Sequence, residues 1–377
     1  MNNKEKLEVL RREIDSVDQE LVALFGKRMN SIKEIGRIKT AGNMAILDKD
    51  REQQVIERAL AVTDEELKAE TISLMRTLMA LSKMKQTKDM GMASPVDFPA
   101  SAEKKTKNIK VAYQGVTGAW SQQGAARLFP QAELCQHEYF EDVFNVVKSG
   151  EADYGVLPIE NSQTGAIGEV YDLLKKHSCY IVGEVWITIA QCLLTTQDTE
   201  LADIREVFSH PEGFGQCRRF LKGKNWDLTA CRNTAVAAQM VAEKNSPKYA
   251  AIGSRQAAAA YGLKVLVPDI MDTASNKTRF IVIAGQPIYD ESCGITSVTF
   301  STAHKSGALC AVLESFMLAG INLTRIESRP VSQDRYRFFA DLQANILSAT
   351  TRDALSQAAT QCDYFEVLGC YSTTTEE

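Results

Sequence analysis

The chain of 377 residues has only four histidines, at 137, 177, 210 and 304, and no two stand at HxxxH spacing. A zinc site is therefore not expected, and no metal is assigned. The nine cysteines (135, 179, 192, 217, 231, 293, 310, 362 and 370) are odd in number and include no CxxC pair. This argues against a disulfide framework and for free thiols in a reducing, cytoplasmic setting. No apolar run reaches the ~18–20 residues of a membrane span. The start, Met1-Asn-Asn-Lys-Glu-Lys-Leu7, turns straight into a charged pattern, so no secretory signal is expected. GxGxxG is absent, which disfavours a dinucleotide fold. A basic surplus is absent too: 43 Lys and Arg against 48 Asp and Glu leave a net charge of −5, the wrong sign for a dedicated nucleic-acid binder.

What is present is an ordinary globular composition, 45% hydrophobic and 24% charged, at a length that calls for two or three domains. Residues 1–90 have almost no strand signal. In a heptad counted from Leu7, the a positions are Leu7, Ile14, Leu21, Arg28 and Ile35, and the d positions are Leu10, Val17, Leu24, Ser31 and Ile38. The apolar majority predicts a long helix packed on other helices and ended by Gly42-Asn43. Asp48 can cap a second, shorter helix. Thr63-Asp-Glu-Glu66 reads as a capping box opening a third helix through about Met84. Residues 91–108 form a linker with Pro, Gly, Ser and a lysine cluster. Residues 109–286 alternate strands (109–113, 153–157, 180–182, 187–194, 250–252, 279–283) with helices, an α/β pattern. Residues 294–377 read as strand 295–301, helix 307–319, strands 322–326 and 337–343, helix 352–362 and strand 365–371. That is the βαββαβ order of a ferredoxin-like α+β unit.

One charge stands on the apolar seam. Arg28 occupies an a position, where a guanidinium is costly unless something pairs it, snorkels it to water or uses it to set register. At 1.5 Å per residue, Arg28 and Lys39 lie roughly 16 Å apart, within joint reach of one ligand. Arg11 lies roughly 25 Å from Arg28 and 42 Å from Lys39. If all three serve one small molecule, Arg11 must come from a second copy of the chain, in a helical dimer with shared sites. Asp48, Arg51 and Glu52 around the second helix, and Ser82 and Gln86 four apart on the third, read from pattern alone as a solvated helix surface.

Arg11, Arg28, Lys39, Asp48, Arg51, Glu52, Ser82 and Gln86 each resemble a position in the active-site pattern of the all-helical chorismate mutase family. The resemblance implies an intertwined dimer that converts chorismate to prephenate. This Claisen rearrangement needs no nucleophile and no acid–base relay. It needs the reactive conformer held and the charge developing on the ether oxygen stabilised. By resemblance, Arg11 and Arg28 clamp the two carboxylates, and Lys39 and Gln86 face the ether oxygen. Glu52 takes the ring hydroxyl, while Arg51, Asp48 and Ser82 orient the ligand and the other charges.

In the α/β block, Gly115-x-x-Gly118-x-x-Ser121 lies between a strand and a helix. It is either an anion-binding loop or an ordinary tight turn. Pro158-Ile-Glu-Asn161-Ser162, Ser209-His210-Pro211 with Gln216, and Asn276-Lys-Thr278-Arg279-Phe280 fall at strand ends, where α/β folds bind ligands. Together they resemble prephenate dehydratase over 109–286. That resemblance implies two lobes, like those of periplasmic solute-binding proteins, with the site in the cleft between them. It gives Thr278 the central role, as donor to the hydroxyl that leaves while prephenate loses CO2. Ser121, Asn161, Ser162, Ser209, His210, Gln216 and Phe280 are matched positions without separate roles. Arg279 stays open between a substrate carboxylate and a structural partner, and His210 between a loop residue and a catalytic acid. In the third block, Gly307-Ala308-Leu309 and Glu327-Ser328-Arg329-Pro330 resemble the phenylalanine-binding motifs of the ACT regulatory domain.

The order of the three blocks resembles the bacterial bifunctional chorismate mutase/prephenate dehydratase family. It implies no cofactor, a homodimer or larger homo-oligomer, and consecutive conversion of chorismate to prephenate to phenylpyruvate. L-Phenylalanine is the implied feedback inhibitor. A mutase joined to a dehydrogenase would carry GxGxxG after the first block. A sensor protein with a helical dimerisation arm leaves Arg28, Lys39, Gln86 and Thr278 together unexplained.

Overall fold

The computed structural model describes residues 2–42, 49–89, 95–332 and 334–374. Three helices come first: α1 (Asn3–Ala41), α2 (Lys49–Leu60) and α3 (Lys68–Asp89). Next follow β1 (Lys110–Gln114), α4 (Trp120–Leu128), β2 (Glu133–His137), α5 (Phe140–Ser149), β3 (Tyr154–Asn161), β4 (Gly165–Ala166), α6 (Gly168–His177) and β5 (Tyr180–Thr188). The chain continues through β6 (Cys192–Thr195), β7 (Glu206–Ser209), α7 (Pro211–Gln216), α8 (Arg218–Leu221), β8 (Asp227–Ala230) and α9 (Thr234–Lys244). It then forms β9 (Tyr249–Gly253), α10 (Arg255–Ala260), β10 (Lys264–Val267) and β11 (Lys277–Ala284). The last elements are β12 (Ile295–Ser301), α11 (Ala308–Leu318), β13 (Leu323–Ser332), β14 (Arg335–Leu342), α12 (Ala349–Ala359), β15 (Tyr364–Tyr371) and β16 (Thr373–Thr374). They divide into two compact units. One is Met1–Val96 with Lys305–Gly320 and Ala349–Cys362; the other is Asp97–His304 with Ile321–Ser348 and Asp363–Glu377.

In the first unit, the apolar periodicity from Leu7 yields the 39-residue α1, about 58 Å long. Two expectations change there. Leu7, Leu10, Ile14, Val17, Leu21, Leu24, Ile35 and Ile38, the heptad seam, are 43–66% exposed rather than packed on this chain's own helices. The stripe this chain does cover, at least in part, is Phe25, Arg28, Met29, Ile32, Gly36 and Lys39. Nor does Thr63 open α3. Its hydroxyl donates to the Ala59 carbonyl at 2.7 Å, at the end of α2. A 3₁₀ turn, Glu65–Leu67, then intervenes, with no side-chain cap from Asp64.

In the second unit, one mixed sheet runs β16-β5-β11-β3-β1-β2 with β4 on β3, and a second runs β10-β6-β9-β7-β8. The apolar run 187–194, expected as one strand, is two. β5 ends at Thr188 in the first sheet and β6 begins at Cys192 in the second. Its apolar pattern is continuous because both ends are buried, each in a different sheet. Residues 189–191 cross between the sheets and 268–276 cross back. The crossings bond each other, Ile189 N–H to the Asn276 carbonyl and Ile270 N–H to the Gln191 carbonyl, both at 2.9 Å. The result is two lobes on a double hinge with a cleft between them.

Gly118 brings the lobes together. Its φ is +86°, and a Cβ there would stand 2.6 Å from the Ala257 Cα. Ser254 Oγ donates to its carbonyl at 3.1 Å. Its N–H donates to Gln122 Oε1 at 2.7 Å and that of Gly115 to the His137 carbonyl at 2.8 Å. Those two amides are therefore committed to protein acceptors, and the loop serves lobe contact.

The third sheet, β13-β14-β12-β15, is antiparallel throughout, the strand order of a βαββαβ unit. Its Phe339, Leu368 and Tyr371 share one core with Phe144, Leu157 and Ile281. α11 and α12 instead belong to the first unit, where α12 meets α3 and Thr77 Oγ1 donates to Glu314 at 3.2 Å. Among the described residues no helix is long and apolar enough to cross a membrane.

Candidate active sites

The helical unit gathers several of the expected residues on α3. Arg28 Nη1 donates to the Leu78 carbonyl at 2.9 Å and to Ser82 Oγ, whose own hydroxyl donates to Leu78. One turn on, Gln86 Nε2 donates to the Ile32 carbonyl at 3.4 Å. Ser82 and Gln86 are buried rather than solvated, 5% and 6% exposed. Beside them Lys83 pairs with Glu52 of α2 at 2.6 Å. Arg51 is exposed, Lys39 is half-buried, and Asp48 lies outside the described residues. Arg11 is exposed and has no hydrogen bond or ion pair among the described residues. Burial lowers the Arg28 pKa from its ordinary value, though a guanidinium stays charged in proteins.

In the second unit the cleft between the lobes encloses about 450 Å³, a size suited to a small ligand. Ser121, Asn161, His210, Gln216, Thr278 and Phe280 line it. Asn161 Nδ2 donates to Thr278 Oγ1 at 2.9 Å and to Asn276 Oδ1 at 2.8 Å. Asn161 Oδ1 accepts from the Gln163 and Thr164 N–H groups at 2.9 and 3.1 Å. The amide is thus held at both ends, and the Thr278 oxygen acts as acceptor. The Thr278 hydroxyl hydrogen has no acceptor among the described residues, so it is left for the cleft. His210 caps α7, its Nδ1 accepting from Glu212 N–H at 3.2 Å, which puts the proton of the neutral ring on Nε2.

Three matched residues do not line the cleft. Ser209 is fully buried and donates to the Ile252 carbonyl at 3.1 Å. Ser162 Oγ accepts the Lys277 N–H at 2.9 Å, fastening the end of β3 to β11. Arg279, one residue past Thr278, points to the other face of β11, as strand alternation requires. There it donates to Glu184, to Asp341 at 2.6 Å and to the Tyr371 hydroxyl at 2.9 Å. Burial opposes its charge, but Tyr371 and the Asp341 and Glu184 carboxylates outweigh it and raise its pKa. Of its two open roles, the structural one holds. A bulge at Arg279/Phe280, opposite Glu160 and Pro158, adjusts this pairing where Pro158 has no N–H for the ladder.

The phenylalanine-motif residues fall in both units. Gly307 caps α11 at φ +80°, before Ala308 and Leu309. Glu327, Ser328, Arg329 and Pro330 lie on β13, an edge strand that tolerates the proline.

Comparison with known proteins separates fold from function. The prephenate dehydratase family profile matches residues 111–287, and the chorismate mutase type II profile matches residues 10–87. A solved prephenate dehydratase from Arthrobacter aurescens, in complex with L-Phe, is 28% identical with TM-score 0.65, covering 70% of this chain and 90% of its own. A solved structure of GqqA, a quorum-quenching acylase, matches at the same identity and TM-score, covering 70% of this chain and 98% of its own. The shared fold alone therefore does not choose an activity. The bifunctional chorismate mutase/prephenate dehydratase of Escherichia coli K12 is 35% identical over 382 residues, 98% of this chain and 97% of the relative. The chain belongs to the bifunctional chorismate mutase/prephenate dehydratase family.

In a bifunctional chorismate mutase/prephenate dehydratase, both sites must hold dianions. Among the described residues, the guanidinium that lines the dehydratase cleft is that of Arg232, which pairs with Glu138 and lies 4.7 Å over the Tyr139 ring. The Trp120 and Thr234 ends of α4 and α9 line the same cleft, and helix N-termini favour carboxylates. Gln191 Oε1 and Trp120 Nε1, both on cleft-lining residues, are buried without a hydrogen-bond partner among the described residues. Sequence reasoning missed Trp120, Gln191 and Arg232. Arg232 carried a signal, a basic residue at a strand end just before the N-cap Asn233. Gln191 carried none, because its place depends on the crossing between lobes.

Proposed function

We propose that the helical block isomerises chorismate and the cleft dehydrates prephenate, with phenylalanine acting as an effector on the C-terminal block. The family supplies the two activities, and the Asn161–Thr278 contact carries the assignment of the second to particular atoms. In dehydration, the electron pair of the bond to CO2 enters the ring as the ring C–OH bond breaks. The departing hydroxide takes one proton and leaves as water. Thr278, its oxygen engaged by Asn161, presents its hydrogen to that hydroxyl. His210 offers a second donor at Nε2. In the mutase, Arg28, braced by Leu78 and Ser82, meets a carboxylate, and Gln86 and Lys39 serve the ether oxygen.

A homodimer completes the mutase site. Its support is the exposed α1 seam, since each half-exposed apolar side chain forgoes part of the about 1.5–3 kcal/mol that full burial brings, together with Arg11, which has no partner among the described residues. Phenylalanine as effector is supported by the Gly307 turn and the Glu327–Pro330 strand. The nine free thiols support a reducing cytoplasm. A coupled assay following chorismate loss and phenylpyruvate formation, with and without phenylalanine, tests the whole reading. Absence of both turnovers in folded protein would reject it.

A further inference from the structure

We propose that Glu160, Arg279, Arg325 and Asp341 form a charge quartet that couples the C-terminal sheet to the Asn161–Thr278 contact, with Arg325 and Asp341 as positioning residues for the dehydratase. The inference rests on the reading of the third block as phenylalanine-binding.

The quartet is a closed rectangle. Arg279 faces Glu160 across β11 and β3, and Arg325 faces Asp341 across β13 and β14. Between the sheets, Arg279 pairs with Asp341 at 2.6 Å and Arg325 with Glu160 at 3.2 Å. Each charge therefore has an opposite charge beside it in its own sheet and in the facing one.

Its placement relative to the cleft follows from strand alternation. Glu160 immediately precedes Asn161, and Arg279 immediately follows Thr278. The two cleft residues are bonded to each other on one face, and the C-terminal sheet grips their two neighbours on the other. Arg279, Arg325 and Asp341 of the quartet line a cavity of only about 10 Å³, roughly one water-sized probe. With so little slack, a displacement of β13 or β14 must either carry β3 and β11 along or break an ion pair.

A route from the effector motif is also present. Arg329 lies four residues beyond Arg325 on the same face of β13 and pairs with Asp172 at 3.2 Å. Its guanidinium rests on Gly168, where a Cβ would stand 2.0 Å away. Ile167 and Glu169, on either side of Gly168, line the cleft.

The test uses the full chain and reads phenylalanine binding by calorimetry alongside inhibition of phenylpyruvate formation. The proteins are wild type, Arg325→Met, Arg325→Lys, Glu160→Gln and the Arg325→Met/Glu160→Gln double variant. Wild type is expected to bind phenylalanine and be inhibited. Arg325→Met should still bind phenylalanine yet, at saturating phenylalanine, retain about tenfold more of its own uninhibited rate than wild type does. Arg325→Lys should recover the response. The double variant should be no worse than either single one, as for a coupled pair. Glu160→Gln preserves shape and probes the same link if Arg325→Met folds poorly. Wild-type inhibition in both single variants overturns the coupling. Failure of the wild type itself to bind phenylalanine overturns the effector reading, and the coupling with it.

Discussion

Thr278 and Arg279 are consecutive in the chain and face opposite sides of β11. Thr278 accepts from Asn161 in the cleft, while Arg279 is buried against Glu184, Asp341 and Tyr371 behind it. The Thr278 hydroxyl is therefore anchored to a part of the molecule that does not line the cleft.

Replacing Thr278 by Ala should lower dehydratase kcat by about 10²–10⁴-fold, the range for losing a positioned donor. Thr278→Ser should retain much of the activity. Mutase turnover should not change in either. Dehydration at the wild-type rate in Thr278→Ala would remove the hydroxyl from the mechanism.

Arg28→Ala should cost the mutase about 10²-fold, as for losing a group that holds a substrate carboxylate in the reactive geometry. Dehydratase activity, in the other compact unit, should survive. Simultaneous loss of both activities in a folded variant would contradict independent sites.

Chains carrying Arg11→Ala and Lys39→Ala should each be inactive as mutases and complement one another when mixed. In a two-fold dimer with Arg11 crossing over, an equal mixture rebuilds about a quarter of all sites. Verified chain exchange with no returning activity would place Arg11 outside the shared site.

Arg279→Met should destabilise the second unit by about 3–5 kcal/mol, because two buried carboxylates lose their counter-charge. Urea unfolding followed by tryptophan fluorescence measures this. A change below 1 kcal/mol, roughly the worth of a surface pair, would show that water reaches the cluster.

Burial pushes the Cys217 thiol up to about 12 and the Cys179 and Cys293 thiols up to about 11, from an ordinary value of 9.0. These folded values lie above the unfolded one. The stability contributed by the neutral thiols is therefore fully present below about pH 9 and is lost as pH rises towards the folded values. Alkylation of native protein at pH 8, mapped by mass spectrometry, should label exposed Cys310 well before these three. Equal labelling of all four would refute their burial.

Local pattern was enough for several features. The heptad pattern from Leu7 produced α1, and the strand–helix alternation of the third block produced β12 through β15 in the expected order. The strand-end motifs that hold Asn161 and Thr278 do meet at one cleft. Where tertiary use of a residue competed with its local signal, the local reading failed. Thr63 has the sequence of a cap but bonds backwards to Ala59. The run 187–194 looks like one strand because both of its sheets are apolar. Gly115 and Gly118 resemble an anion loop, yet Gly118 is needed for contact with Ala257.

The sequence alone shows which residue types each block has at its disposal, and in what chain order. It also determined that Arg11 and Lys39 cannot meet on one straight helix, since helical rise is a local property. The face that each side chain presents depends instead on packing. Arg279 and Thr278 look equally available in the chain. The burial of β11 between the cleft and the C-terminal sheet turns one toward the cleft and commits the other to protein carboxylates, because a guanidinium taken out of water must be paired.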